Sequence, residues 1–180
     1  MTLVADVFFV NEITFLIALS CKIKFVTVKH IRTRTSTQLS NSLAKVCRLY
    51  VRTSYSVTVI LLDMEFEPVD AIMPETVTCN FTAAREHVGE IERKIRVIKE
   101  RGRSTITTFP FKKCPCRALI ELVYFVVLWR NAIPALETGI SAIYSPREII
   151  TGMIMDYKRR LSLILASMLK FTMSLLPRTE

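Results

Sequence analysis

LVADVFFVNEITFLIALSCKIKFVTVKHI, residues 3–31, is the stretch that decides the fold class. It contains three short runs: LVADVFFV (3–10), FLIALSC (15–21) and KFVTVKHI (24–31). All three are rich in β-branched and aromatic residues, which read as strands, and tight connections join them into an antiparallel meander. Residues 36–52 switch to helical period, with Leu39, Leu43, Val46 and Tyr50 on one face. VTVILL (57–62) is an unbroken apolar run and reads as a buried central strand, and VTCNF (77–81) as a weaker one. In VGEIERKIRVIKERGR (88–103), Ile91, Ile95 and Ile98 fall at i, i+4 and i+7. That spacing predicts an amphipathic helix over 89–103. CRALIELVYFVVLWRNA (116–132) is apolar almost all round and is expected to be a buried helix. In YSPREIITG (144–152), Ser145 can cap a helix, Pro146 takes its first position and Glu148 completes a capping box. Three strands, a helix, two further strands and more helices make a mixed α/β plan.

The chain has 180 residues, about half of them hydrophobic, which suits one domain with a sizeable core and excludes a disordered tail. Its net charge of +9 points to an anionic partner, nucleic acid or a membrane surface. Charged residues interrupt every long apolar run, so no membrane span is expected. The N-terminus lacks the basic region of a signal peptide and carries Asp6 in its apolar run, so secretion is not expected. Five irregularly spaced cysteines and two distant histidines suggest neither a disulfide framework nor a zinc site.

The charge is unevenly spread. No Asp or Glu occurs from Ile13 to Leu62, against eight Lys and Arg. Residues 93–117 hold nine more, Arg93, Arg96, Lys99 and Arg103 among them, against Glu100 alone. Such one-sided blocks favour phosphate contact over simple solvation of helix faces. Two acids stand out against this background. Asp6 lies mid-strand among Val4, Ala5, Val7 and Phe8, where an unpaired carboxylate costs several kcal/mol to bury. Asp63 ends the strand VTVILL, at the place where open α/β sheets present ligands. Read one at a time, Asp6 is equally a satisfied polar residue on an edge strand, and Asp63 an ordinary turn residue. If their strands are neighbours, the two carboxylates converge. The helix at 89–103 offers a third in Glu90, Glu92 or Glu100. Hard oxygen ligands of this kind suit Mg2+ or Mn2+.

In order along the chain, these residues resemble the catalytic core of retroelement integrases, nearest to those of copia-like retrotransposons. Asp6 in VADVFFV is similar to the family's first catalytic acid, and Asp63-Met64-Glu65-Phe66 to the second with its nearby E-F pair. Gly89-Glu90-Ile91-Glu92-Arg93-Lys94 resembles the G-x-x-E-R-K motif, which selects Glu92 as the third acid. Asn131 and Pro134 resemble the N-x-x-P that ends the buried helix, and Ser145-Pro146-Arg147-Glu148 through Gly152 the block beyond it. The resemblance covers residues 1–158. The tail, 159–180, does not share it.

The resemblance implies a ribonuclease H-like mixed five-stranded sheet, three antiparallel strands followed by two parallel to the first, flanked by helices. It implies polynucleotidyl transfer (3′-end processing and strand transfer in DNA integration) with Asp6, Asp63 and Glu92 holding two Mg2+ or Mn2+ ions. Arg93, Arg96, Lys99 and Arg103 are the expected DNA contacts. Element ends and target DNA are the expected partners, with a homo-oligomer and no membrane, in the nucleus or in a cytoplasmic particle in transit. Only 28 residues separate Asp63 from Glu92, fewer than in the family, so a helix after the fourth strand is expected to be missing. The rival expectation is a catalytically inactive remnant that binds nucleic acid through its basic surface.

Overall fold

In the computed structural model, which describes residues 1–74, 76–81, 88–108, 114–135 and 139–158, the chain begins with a long hairpin. Strand β1, Thr2–Val10, runs antiparallel to β2, Ile13–Ser20, and β2 to β3, Val26–His30. The first turn is two residues, Asn11 and Glu12, at φ 45° and 66°. Positive φ at both positions matches the right-handed twist of the strands that a two-residue turn must join. β3 starts two residues later than expected, because Lys24 at φ 64° belongs to the preceding turn.

Helix α1, Ser36–Arg52, carries the chain across the sheet to β4, Val59–Leu62, which pairs parallel with β1. β5, Thr78–Phe81, then pairs parallel with β4. The sheet order is β3-β2-β1-β4-β5, the five-stranded mixed arrangement that the resemblance implied. Three helices follow: α3, Val88–Ile106; α4, Cys116–Ala132; and α5, Pro146–Thr151. The link after β4 is not bare. A 3-10 turn, Met64–Phe66, and a one-turn helix α2, Glu67–Asp70, occupy it and seal the sheet end with buried Phe66 and Val69. A one-turn helix therefore stands after the fourth strand, where a helix was expected to be missing.

Alternation sends the strands' side chains into two cores. On one face Leu3, Ala5, Leu16, Ala18, Ile60 and Leu62 pack with Leu39, Leu43, Val46 and Tyr50 of α1. On the other, Val4, Phe8, Phe15, Ile17 and Leu61 pack beneath Ile91, Ile95 and Ile98 of α3 and Leu122, Val123, Val126 and Val127 of α4. The helical stripes read from periodicity are therefore the buried ones. α4 departs from expectation. It buries one face, while Ile120, Tyr124, Phe125, Leu128 and Trp129 are only half-buried. Apolar composition on all sides does not say which side finds a partner. The capping box of α5 is present: Glu148 N–H donates to Ser145 Oγ at 3.2 Å, and Ser145 N–H to Glu148 Oε2 at 2.7 Å.

The outer edge of β3 is closed by a side chain. Asn131, buried on α4, accepts from Val26 N–H at 2.8 Å through Oδ1 and donates to Val26 O at 2.7 Å through Nδ2. The amide imitates one rung of a neighbouring strand, so a buried edge keeps its donor and acceptor satisfied. Asn131→Ala strands both groups, each worth about 1–3 kcal/mol when buried and unpaired. Urea unfolding should show a loss of roughly 2–4 kcal/mol; a loss below about 0.5 kcal/mol would mean that the edge does not need the amide.

Candidate active site

β1 and β4 are in register through Thr2↔Val59, Leu3↔Ile60 and Val4↔Leu61. Two residues beyond the last pair stand Asp6 on β1 and Asp63 just past the end of β4. Asp6 alternates with Val4 and Phe8, so it faces the α3 side of the sheet. β4 stops at Leu62 while β1 continues to Val10, and this is why a mid-strand acid is only half-buried. Asp63 is exposed and caps the 3-10 turn, its Oδ1 accepting from Met64 N–H at 2.7 Å. Asp6 Oδ1 accepts from Val7 N–H at 2.6 Å.

α3 lies over this end of β1 with Ile91 buried and its neighbour Glu92 exposed. Glu92 and Glu90 are told apart by their surroundings. Glu90 is paired with Lys24 Nζ at 2.7 Å and clamps the turn before β3 to the first turn of α3. Glu92 has no such partner among the described residues, and it lines a groove of about 300 Å3 with Arg96, Lys99, Glu100 and Arg103. Three of the four residues expected to contact DNA thus share one groove with the third acid, whereas Arg93 is exposed on α3 outside it.

Electrostatics link the acids. Burial pushes the Asp6 carboxyl above the usual carboxylate range; the Val7 N–H opposes this, and the charges of Glu65, Asp63 and Glu92 add to it. Glu65 is the acid whose part the sequence reading left out, although it stands in the quoted E-F pair. It forms an ion pair with Arg34, and Arg34 lies over the Phe9 ring at 5.4 Å. The turn after β4 is thereby fastened to the loop after β3. Nothing local in the sequence joins positions 34 and 65.

The donors are all carboxylates, the chemistry that hard divalent ions take. Their spacing is looser than coordination: among the described residues, no group of three or more His, Cys, Asp or Glu stands close enough to hold a metal ion. The structure brings Asp6, Asp63 and Glu92 within electrostatic reach and leaves each Asp bonded to the backbone amide that follows it.

A raised folded value makes ionised Asp6 a stability cost. The cost is absent below the unfolded value near pH 4 and grows as pH rises through the folded value. Asp6→Asn keeps an acceptor for Val7 N–H and removes the charge. Its melting temperature at pH 7 should exceed that of the parent by a few degrees, about 2–4 °C per kcal/mol in a chain this long, with the gap closing toward about pH 4. An unchanged or lower melting temperature at pH 7 would contradict the strained carboxylate. No protein-family model matches the chain, and no curated protein matches it. Among solved structures, it is similar to the crystal structure of the catalytic core domain of BIV integrase, with a TM-score of 0.58 and 14% identity, over 84% of this chain and 93% of that one. At that identity the likeness is one of fold, and it matches the mixed five-stranded sheet flanked by helices described above.

Proposed function

We propose that the chain is an integrase core of retrotransposon origin that carries out metal-dependent polynucleotidyl transfer on DNA. The observation that carries this reading is the level placement of Asp6 and Asp63 at the end of a parallel strand pair, with Glu92 on the helix above them. In this reading Asp6, Asp63 and Glu92 hold Mg2+ or Mn2+. When bound, the ions supply charge neutralisation at the phosphodiester and lower the pKa of the attacking hydroxyl. The chain's own work is positioning. Arg96, Lys99 and Arg103 lie along the groove beyond Glu92, where they can grip successive phosphates, and Arg93 adds charge beside it. Water attacks a phosphodiester near the element's 3′ end, breaking its P–O3′ bond and freeing the 3′-hydroxyl; that hydroxyl then attacks a target-DNA phosphodiester, forming a new P–O3′ bond as the target's own 3′-oxygen leaves. The rigid sheet beneath Asp6 supports this by holding the first acid in place. The same reading assigns the chain to the nucleus, acting as a homo-oligomer.

A second reading, a non-catalytic module that binds nucleic acid through the basic groove, is favoured by one observation. The described acids do not form a closed set of metal ligands.

The two readings separate on one assay, the Mn2+-dependent joining of a 3′-hydroxyl duplex oligonucleotide into plasmid DNA. The first predicts joining by the parent chain and a loss of roughly 100-fold or more in Asp6→Asn, Asp63→Asn and Glu92→Gln. Disturbing even the outer shell of a metal site costs about 10–100-fold. Joining that survives any of the three substitutions rules out that residue's role, and binding without joining by the parent chain supports the second reading. Lys99→Gln should weaken DNA binding on either reading and flatten its log–log salt slope by about one.

A further inference from the structure

A second groove, of about 320 Å3, lies between α3 and α4. It is separate from the groove beside Glu92. Nine residues at roughly 100° each carry Arg101 to the opposite side of α3 from Glu92. Arg101, Ser104 and Thr105 line it from α3, and Phe125, Trp129 and Arg130 from α4. The volume falls at the lower end of the roughly 300–1,000 Å3 of small-molecule sites.

Two features of this groove suit an anion. Arg130 is half-buried, and burial together with the charge of Arg101 holds its guanidinium below its ordinary value. Among the described residues neither arginine is paired with a carboxylate. Two neighbouring cations repel each other, and an oxyanion between them would offset that repulsion. The groove also has a fixed aromatic wall. Trp129 stacks on Tyr157 at 5.9 Å and meets Phe125 edge-on at 6.1 Å, and Tyr157 Oη donates to Ala132 O at 3.0 Å.

We propose that this groove binds a nucleotide. The Arg101 and Arg130 guanidinium groups take the phosphate, and the base lies against the Phe125–Trp129 wall. A phosphate meets the charge of two adjacent guanidiniums more fully than one side-chain carboxylate, and a planar base fits an aromatic wall better than an aliphatic chain does. The proposal concerns the face of α3 opposite the acids and stands apart from the reading of their chemistry.

Trp129 is the only tryptophan in the chain, so its fluorescence reports on this groove alone. Titration of the full chain with deoxyadenosine 5′-monophosphate should give a saturable change in emission, with inorganic phosphate competing. Arg101 is exposed on its helix, so Arg101→Gln should fold and bind about tenfold or more weakly, whereas Arg101→Lys should recover part of the loss. Lys45→Gln, which removes an equal charge from α1 on the other side of the sheet, should leave binding unchanged. No saturable change in the parent, an equal loss in Lys45→Gln, or a response to a glutamate-rich peptide in place of the nucleotide would each overturn the proposal. Tighter binding of a single-stranded oligonucleotide than of the mononucleotide would support a nucleotide presented within a strand; equal affinity would support a free one.

Discussion

The parallel pairing of β1 with β4 is the interaction on which the rest of the molecule depends. A parallel pair cannot be closed by a hairpin, so the chain must cross the sheet between the two strands. α1 makes that crossing, and its stripe of Leu39, Leu43, Val46 and Tyr50 becomes the cover of one sheet face. Both strands then run toward the same edge. Because β4 ends first, the flank of β1 at Asp6 opens where β4 has turned away, and Asp63 stands at the same level. Shifting the pair by one residue would send Asp6 into the apolar core beneath α1, where ionisation would be far more costly. A single register thus sets the sheet order, the covered faces and the meeting of the two acids.

Much of this was legible in the residues because it rests on local period. The three opening strands, the stripe of α1, the isoleucines of α3 and the cap of α5 are each written within a few residues of one another. Asp6 was conspicuous because an acid inside an apolar strand needs a reason, and Asp63 because it follows the buried strand directly. The rest depends on distant pairs. The Arg34–Glu65 ion pair, the Lys24–Glu90 clamp and the Asn131 amide on Val26 join positions with no common pattern. Lys24 also gives a physical reason for preferring Glu92 to Glu90, which motif resemblance alone had supplied. α4 shows the limit from the other side. Its composition is apolar throughout, and only the packed structure says which face is buried.

α3 carries charge on two opposite sides, and its isoleucines occupy the arc between them. One side continues from Glu92 into Arg96, Lys99 and Arg103. The other meets Arg130 of α4 through Arg101. Like charges packed this densely on one helix destabilise it in isolation, and the burial of Ile91, Ile95 and Ile98 against the sheet offsets the repulsion. A surface of this kind favours polyanions at low salt and loses affinity steeply as salt rises.

The central claim is that Asp6, Asp63 and Glu92 close around a shared divalent cation. Anomalous diffraction from crystals of the chain soaked in Mn2+ addresses it without any need for substrate. The account predicts a manganese peak about 2.1 Å from carboxylate oxygens of Asp6 and Asp63, with Glu92 turned toward the same site. A crystal with no peak between these residues at millimolar Mn2+, and with Glu92 directed away from both aspartates, would contradict it.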